Sequence, residues 1–412
     1  MVLVRGNANR YPRLVTQAVT PIERPTIDLL DPEMYRRNPH ELWSSMRANE
    51  PVYFDARNGL WAITRYADIL EVERRAEVFR SSLGYRAVWA PNESNMIAQD
   101  DPGHRAQRML VQRFFSPPVM TRRIPEIRAL VTELIDSIID DASTEVVGSI
   151  AGQLPARLTC RLLGLPKEWW PRVKEWSEKL MRTDMRERDG ATFLEFVGAN
   201  MDLFAEVKNQ IVRKRNEPGD DLLTVWATAQ HNGAPMSEEM VFHETGLFVA
   251  GGAETTRTTI AHGLRVLADH PDDWEALAAD PSLVPGCIEE LFRWVTPLNN
   301  FFRRAMAPVT LSGQSIPMGD RVIMIYPSAN RDETQFADPF RFDIRRSPNH
   351  HLSFGNGPHM CIGAPLARLT VRVLLEEMTR RMTNLQVVAE PDVEANIFAR
   401  AVRSFTLGFT KR

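Results

Sequence analysis

Hydrophobic positions along most of the 412-residue chain recur at intervals of three and four, the helical period, with proline and glycine as punctuation. "HELWSSMRANEPVYFDARNGLWAITRYADILEVERR" predicts a helix, two short strands around Asn58–Gly59, and a second helix. Asn-Gly between Val52–Phe54 and Leu60–Ile63 is a strong hairpin signal, because both residues tolerate positive φ. Residues 81–100 show no period. From His104 to about Gly233 the pattern is almost continuously helical, with breaks expected at Pro117–Pro118, Gly164–Pro166 and Pro218–Gly219. Ser237 followed by Glu238 and Glu239 predicts the start of a long helix: a capping oxygen, then carboxylates in the positive first turn. This helix should run to about His270, where Pro271 stops it, and a further helix should end near Pro297. "APVTLSG", "QSIP" and "RVIMIYP" then read as strands, the residues after Cys361 as helix, and "LQVVAE" and "SFTLGF" as closing strands. The fold class is mainly α, with a small β portion placed toward both ends of the sequence.

Composition narrows the picture. With 43% hydrophobic and 25% charged residues, the chain has ample material for a large core. It holds no Gly/Ser linker, low-complexity tract or repeat, so one domain is expected over residues 1–412, with roughly 1–25 as an N-terminal extension. A net charge of −3 lacks the strongly basic balance expected of a nucleic-acid partner. Arg5, Arg10 and Arg13 interrupt the apolar residues at the N-terminus, and no apolar run nears the roughly 20 residues that span a bilayer. Neither a signal peptide nor a membrane span is expected, and the expected location is the cytoplasm. Three scattered cysteines, Cys160, Cys287 and Cys361, suit a reduced protein.

Four short stretches carry candidate chemistry. "LFVAGGAETTRTTI" puts Gly251 and Gly252 inside the long helix, each costing about 1 kcal/mol relative to alanine. Glycines there admit something bulky close to the backbone, and a threonine hydroxyl bonded back into the helix can hold the ladder open. Glu254 beside Thr255 suggests proton handling; the alternative is a kinked core helix with a surface acid. "EELFRW" places Glu290 and Arg293 at i, i+3 on one face, either an exposed pair of little consequence or a buried structural one. Arg341 in "DPFRFD" is the candidate third charge. "DDPGHRAQRM" places His104 and Arg108 at i, i+4, both able to donate to an anion.

"HLSFGNGPHMCIGAPLARL" sets Cys361 in a glycine-rich loop just before a helix, whose N-terminal dipole favours a thiolate. A lone thiolate serves as nucleophile, zinc ligand or haem ligand. Nucleophilic work needs a base, and His359 is two residues away. Zinc needs about three further ligands, here His350, His351 and His359. Haem needs one axial ligand, a flat approach to the loop backbone at Gly355, Gly357 and Gly363, and cationic donors for two propionates. His104, Arg108, Arg303 and His359 are donors of the right type. A non-enzymatic helical protein with a Cys/His zinc site is the different-class alternative.

"FGNGPHMCIG" resembles the cysteine-ligand signature of the cytochromes P450, with Phe354, Gly355, Gly357, His359, Cys361 and Gly363 in place. "GGAETT" is similar to that family's oxygen-activating stretch, "ELFR" to its Glu-x-x-Arg pair, "PFRF" to the segment supplying Arg341, and "DPGHRAQR" to the propionate-binding segment of the soluble bacterial branch. Arg303 in "FFRRA" falls where that branch has another propionate ligand. The five motifs occur in the family's order over about residues 101–368. Phe340 and Thr370 depart from the family pattern at positions away from the iron.

The resemblance implies the triangular P450 fold and haem b held by Cys361 as axial thiolate. It implies cofactor contacts from His104, Arg108, Arg303, Phe354, Gly355, His359 and Gly363, with Ala250 and Gly251 passing over the haem. Glu254 and Thr255 would be catalytic, relaying protons to dioxygen, and Glu290, Arg293 and Arg341 structural. Trp89, Met96, Ile97, Leu247, Leu298, Asn299, Phe301 and Phe398 would line the substrate pocket, with Asn299 and Asn300 as polar anchors. The implied reaction is hydroxylation of a hydrophobic small molecule: a steroid, sterol side chain, or other lipid or terpenoid. Oxidative tailoring of a polyketide or aromatic compound is the second reading. Electrons would come from a ferredoxin and its reductase, docking on the cysteine side through Arg105, Arg113, Arg122 and Arg123.

Overall fold

The computed structural model describes residues 27–37, 39–88, 90–182, 190–231 and 233–412; Trp89 lies outside them. The expected hairpin forms, with Val52–Asp55 antiparallel to Leu60–Ile63 from Val52↔Ile63 to Asp55↔Leu60. Gly59 sits at φ 63° and the Asp55 carboxylate accepts from the Arg57 and Asn58 amides, which closes the turn. Leu60–Ile63 pairs in parallel with Arg321–Ile325, which pairs antiparallel with Asn300–Ala305, and Phe79–Arg80 closes a five-stranded sheet. Asn300–Ala305 was not expected as a strand, since one asparagine and two adjacent arginines mask its apolar positions.

The long helix spans Glu238–Ala268, and the Ser237 hydroxyl caps it by accepting from the Met240 amide at 3.1 Å. It is the spine of the molecule. Its N-terminal half, through Val241, Phe248 and Ala253, packs with helices Gln153–Leu163, Trp170–Leu180, Ala191–Asn216 and Leu222–Thr228. Its C-terminal half, through Ile260, Leu264 and Leu267, packs with Pro117–Asp136, Val284–Val295 and Ala364–Arg381. Residues 254–259 lie between the two clusters.

The expected breaks at Pro117–Pro118 and at Pro271 occur, each proline opening the next helix, while other boundaries differ. Pro117 and Pro118 begin a helix, because the first helical turn has no use for an amide proton. Pro271 does the same for Pro271–Ala279, and a separate helix, Val284–Val295, follows it. The long helical run breaks at Ser143–Glu145, a strand paired with the C-terminal Val402–Lys411. The Glu145 carboxylate then accepts from the Val147 and Gly148 amides and starts the next turn.

Candidate active site at the cysteine loop

Gly355 and Gly357 both adopt φ 67°, and a side chain at Gly357 would come within 2.3 Å of the Glu73 carbonyl. The two glycines therefore let the loop turn tightly against helix Tyr66–Arg74, a protein contact that sequence reading attributed to haem. The Cys361 amide donates to the Phe354 carbonyl at 2.8 Å. Phe354 packs on Phe292, ring centroids 4.6 Å apart, under the Arg368 guanidinium. Arg108, on helix Gly103–Val111, donates to the Met360 carbonyl at 2.7 Å, which joins that helix to the loop.

Gly363 has an ordinary φ and precedes helix Ala364–Arg381. Burial pushes the Cys361 thiol above its usual pKa, while the Gly363 and Ala364 amides, Arg108 and Arg368 pull it back. The helix-terminus amides favour the thiolate, as expected, and desolvation of the sulfur within the loop works against them. A metal cation held by Cys361 would offset this desolvation and stabilise the thiolate.

Around the loop, donors converge. His104 lies 4.2 Å from His359, ring to ring, and its Nδ1 meets Asp101 at 3.1 Å while its buried Nε2 has no partner. Burial, then Arg303, His104 and Arg108, push His359 down to about 2, so it is neutral. Arg303 is buried and donates to its neighbour Phe302's carbonyl. Two members were not anticipated: buried Glu73, raised to about 7 chiefly by desolvation, accepts from Tyr326 at 2.6 Å. Only a tertiary contact links residue 73 to the cysteine loop.

The long helix is unbroken at Gly251–Gly252, contrary to expectation. The two glycines do different work. A Cβ at Gly252 would lie 2.8 Å from the Thr159 hydroxyl, whereas a Cβ at Gly251 would meet nothing within 4 Å. The Thr255 hydroxyl donates to the Gly251 carbonyl at 2.7 Å. Glu254 is not a surface acid: it is 1% exposed and accepts from Arg257 at 2.5 Å. Arg257 also bonds Glu178, which accepts from Lys174 at 2.6 Å toward the surface. Burial raises Glu254's pKa against the pull of Arg257, and its second oxygen has no partner.

Ala250, Leu298, Phe301 and Phe398 pack together with Met181 and Ala399, and Phe301 meets Phe398 edge-on at 5.2 Å. Met96 and Leu247 belong with Ala250 to the neighbouring cluster, and Ile97 is half-buried beside Met96. Asn299 does not stand free as a polar anchor, since its amide donates to the Asn396 and Ile397 carbonyls, and Asn300 also donates to Ile397. Asn396, missed in the sequence, accepts from the Phe398 and Ala399 amides and shapes this wall.

Glu244 was also missed. It is fully buried, accepts from the Met96 amide at 3.0 Å, and is raised to about 8 by desolvation. Between its ordinary pKa and about 8 only the unfolded chain releases this proton, so folding stability falls as pH rises through that window, by about 1.4 kcal/mol per unit. Denaturant titrations at pH 5 and pH 8 should show this loss reduced in Glu244→Gln; an unchanged pH slope would refute the assignment.

Glu290 and Arg293 are fully buried and doubly bonded at 2.7 Å. The third charge is Arg346, 3.2 Å from Glu290, together with Asn349 at 3.1 Å. This corrects the assignment of Arg341. Its side chain is exposed beyond the turn at Asp338, and only its carbonyl accepts from Arg293 and Arg346.

The zinc alternative does not assemble. His351 meets Glu289, His359 faces His104, and among the described residues no group of three or more His, Cys, Asp or Glu could hold a metal. Haem fits better: a lone sulfur, an unpartnered buried imidazole nitrogen, nearby arginines and the open face of Gly251 suit a flat dianionic macrocycle. Among the described residues no helix is long and apolar enough to cross a membrane.

The cytochrome P450 family model matches residues 185–397, just over half of the chain. The steroid C26-monooxygenase of Mycolicibacterium smegmatis is 36% identical over 92% of this chain and 94% of its own length. A methyl-branched lipid omega-hydroxylase of Mycobacterium bovis is 33% identical over 86% and 85%. A solved Mycobacterium marinum cytochrome P450, CYP268A2 in complex with pseudoionone, superposes with a TM-score of 0.87 at 31% identity, covering 93% of this chain and 98% of that one. The chain therefore belongs to the cytochrome P450 family, enzymes that bind haem b through a cysteine thiolate and hydroxylate hydrophobic molecules as monooxygenases.

Proposed function

We propose that Cys361 is the axial ligand, that His104, Arg108, Arg303 and His359 hold the propionates, and that the chain hydroxylates the end of a branched apolar chain on a steroid, lipid or terpenoid. The observation that carries the site assignment is the joining of Cys361, Arg108 and the His104–His359 pair at one loop. When bound, the haem supplies the oxygen-activating chemistry: one atom of dioxygen enters a C–H bond and the other leaves as water, with two electrons and two protons consumed. The substrate class is supported by the apolar wall of Ala250, Leu298, Phe301 and Phe398 and by the names of the two relatives. Steroids with a side chain, branched fatty acids and terpenes should be screened for a low-to-high-spin shift. Binding of polar aromatics alone would overturn this substrate class.

Protons are moved by Thr255 and Glu254. The Thr255 hydroxyl spends its hydrogen on the Gly251 carbonyl, so its oxygen would be left to accept a hydrogen bond from a group bound above the haem. Glu254 is held by Arg257, which also bonds Glu178 and through it Lys174; the guanidinium orients the carboxylate and itself passes no proton. Thr255→Ala should cut product per electron roughly 10-fold, with peroxide released instead and substrate binding unchanged. Unaltered coupling would remove Thr255 from the mechanism.

A ferredoxin and its reductase are the proposed electron donors. Arg105 and Met109 are exposed on the helix that Arg108 joins to the cysteine loop, Met360 is exposed in the loop itself, and Arg122 is exposed on helix Pro117–Asp136. Arg105 lies 3.8 Å from Asp101, Arg113 3.6 Å from Asp220 and Arg123 3.7 Å from Glu126, so each of these three has a neighbouring acid, and Arg105 is the most exposed of them. Charge reversal of Arg105 and Arg122 together should slow reduction about 10-fold at low salt while leaving substrate affinity intact. A changed affinity with normal reduction would count against this face.

A further inference from the structure

A cavity of 690 Å³ lies away from the cysteine loop, between helix His40–Asn49, the second half of the long helix and the end of helix Val284–Val295. None of its lining residues belongs to the site described above. Its size is that of a pocket for a drug-sized molecule.

Its charge is unusual for a protein interior. Arg331 is buried and donates to the Arg293 and Trp294 carbonyls, stacking over the Trp294 ring at 4.3 Å. Arg400 donates one N–H to the Val295 carbonyl at 2.8 Å. Its other side-chain nitrogens have no partner among the described residues and are not enclosed by protein. Neither guanidinium has a carboxylate within ion-pair distance among the described residues, and each is held below the usual arginine pKa by burial. His40 adds a buried Nδ1 with no partner, and His262 spends its Nε2 on the Arg400 carbonyl.

The acids nearby do not neutralise this pair. Glu41 sits exposed at the rim, while Glu390 and Asp269 are engaged by Arg265. The walls are apolar, formed by Trp294, Val295 and Phe340. A buried guanidinium, Arg331, beside a half-buried one, Arg400, without a counter-ion calls for an anion, and a planar fork matches carboxylate and phosphate alike. Apolar walls favour an anion that carries a hydrocarbon body over a fully hydrated one. The chain's own residues 1–26 are poor occupants by charge, with four arginines against one glutamate.

We infer that this cavity binds an amphipathic carboxylate, its head on Arg400 and Arg331 and its apolar body against Trp294 and Phe340. The site is separate from the haem pocket and from the proposed chemistry there. The probe is dodecanoate, titrated calorimetrically into the haem-loaded enzyme already saturated with clotrimazole, so that the haem pocket is blocked and the azole's spectral shift confirms a folded protein.

Dodecanoate should bind with one-to-one stoichiometry. Arg400→Gln, which removes the unpartnered donors, should weaken it roughly 10- to 100-fold. Val266→Phe, which fills the wall and leaves both arginines in place, should weaken it as strongly. Dodecanol, with the same tail and no charge, should bind at least about 10-fold more weakly. Failure of dodecanoate to bind the azole-saturated enzyme, or unchanged binding in both variants, would overturn the inference. Equal binding of dodecanol would reduce the site to a greasy cleft, and equal binding of inorganic phosphate would make it a simple anion hole; either result refutes the assigned ligand class.

Discussion

Cys361→Ser yields a folded protein whose reduced carbon-monoxide complex lacks the far-red-shifted Soret band, and whose monooxygenase activity falls by more than about 100-fold. Folding survives because the loop is held by other groups: the residue-361 amide on the Phe354 carbonyl, Arg108 on the Met360 carbonyl, and the left-handed turns at Gly355 and Gly357. The chemistry does not survive, because a serine hydroxyl is a far poorer anion than a thiol at neutral pH. Optical spectra of the carbon-monoxide complex check the first part and product formation the second. Retention of the shifted band in the serine variant would show that another group holds the iron, and the site assignment would fall with it.

Glu290→Gln is expected to have the largest effect on stability. The carboxylate is fully buried and accepts from Arg293, Arg346, Asn349 and the Asp343 amide. An amide in its place leaves two arginines without their anion, a loss of about 3–5 kcal/mol. With an unfolding entropy near 2.1 cal/mol/K per residue, a chain of this length should lose roughly 5 °C in Tm. Arg346→Ala should destabilise in the same direction by less, since Arg293 keeps its two bonds to Glu290. Arg341→Ala should leave Tm within about 1 °C, because its side chain faces solvent. Calorimetry of the three variants separates the roles; equal losses in Arg341→Ala and Arg346→Ala would contradict the network described here.

Local pattern was informative wherever a residue's partner lies within a few positions. The Asn58–Gly59 hairpin, the Ser237 cap and the Thr255 bond to Gly251 all close over five residues or fewer, so spacing alone exposes them. The cysteine loop was legible for another reason: a glycine-rich turn, a sulfur and a following helix form one contiguous segment. What misled was the cause assigned to particular residues. Gly357 looked like room for a macrocycle and proves to be room for the Glu73 backbone, a contact across nearly three hundred residues.

The sequence by itself determined that the chain is mainly helical, that Cys361 sits before a helix with family motifs around it, and that Glu254 and Thr255 share the long helix. Only the tertiary structure decided that Glu254 is buried on Arg257, that Arg346 rather than Arg341 completes the Glu290 pair, and that Arg331 and Arg400 meet at one cavity. Helical period and capping act over one or two turns and so are written in neighbouring residues. Burial and charge pairing depend on which distant side chains arrive at the same place, which only packing of the whole chain sets.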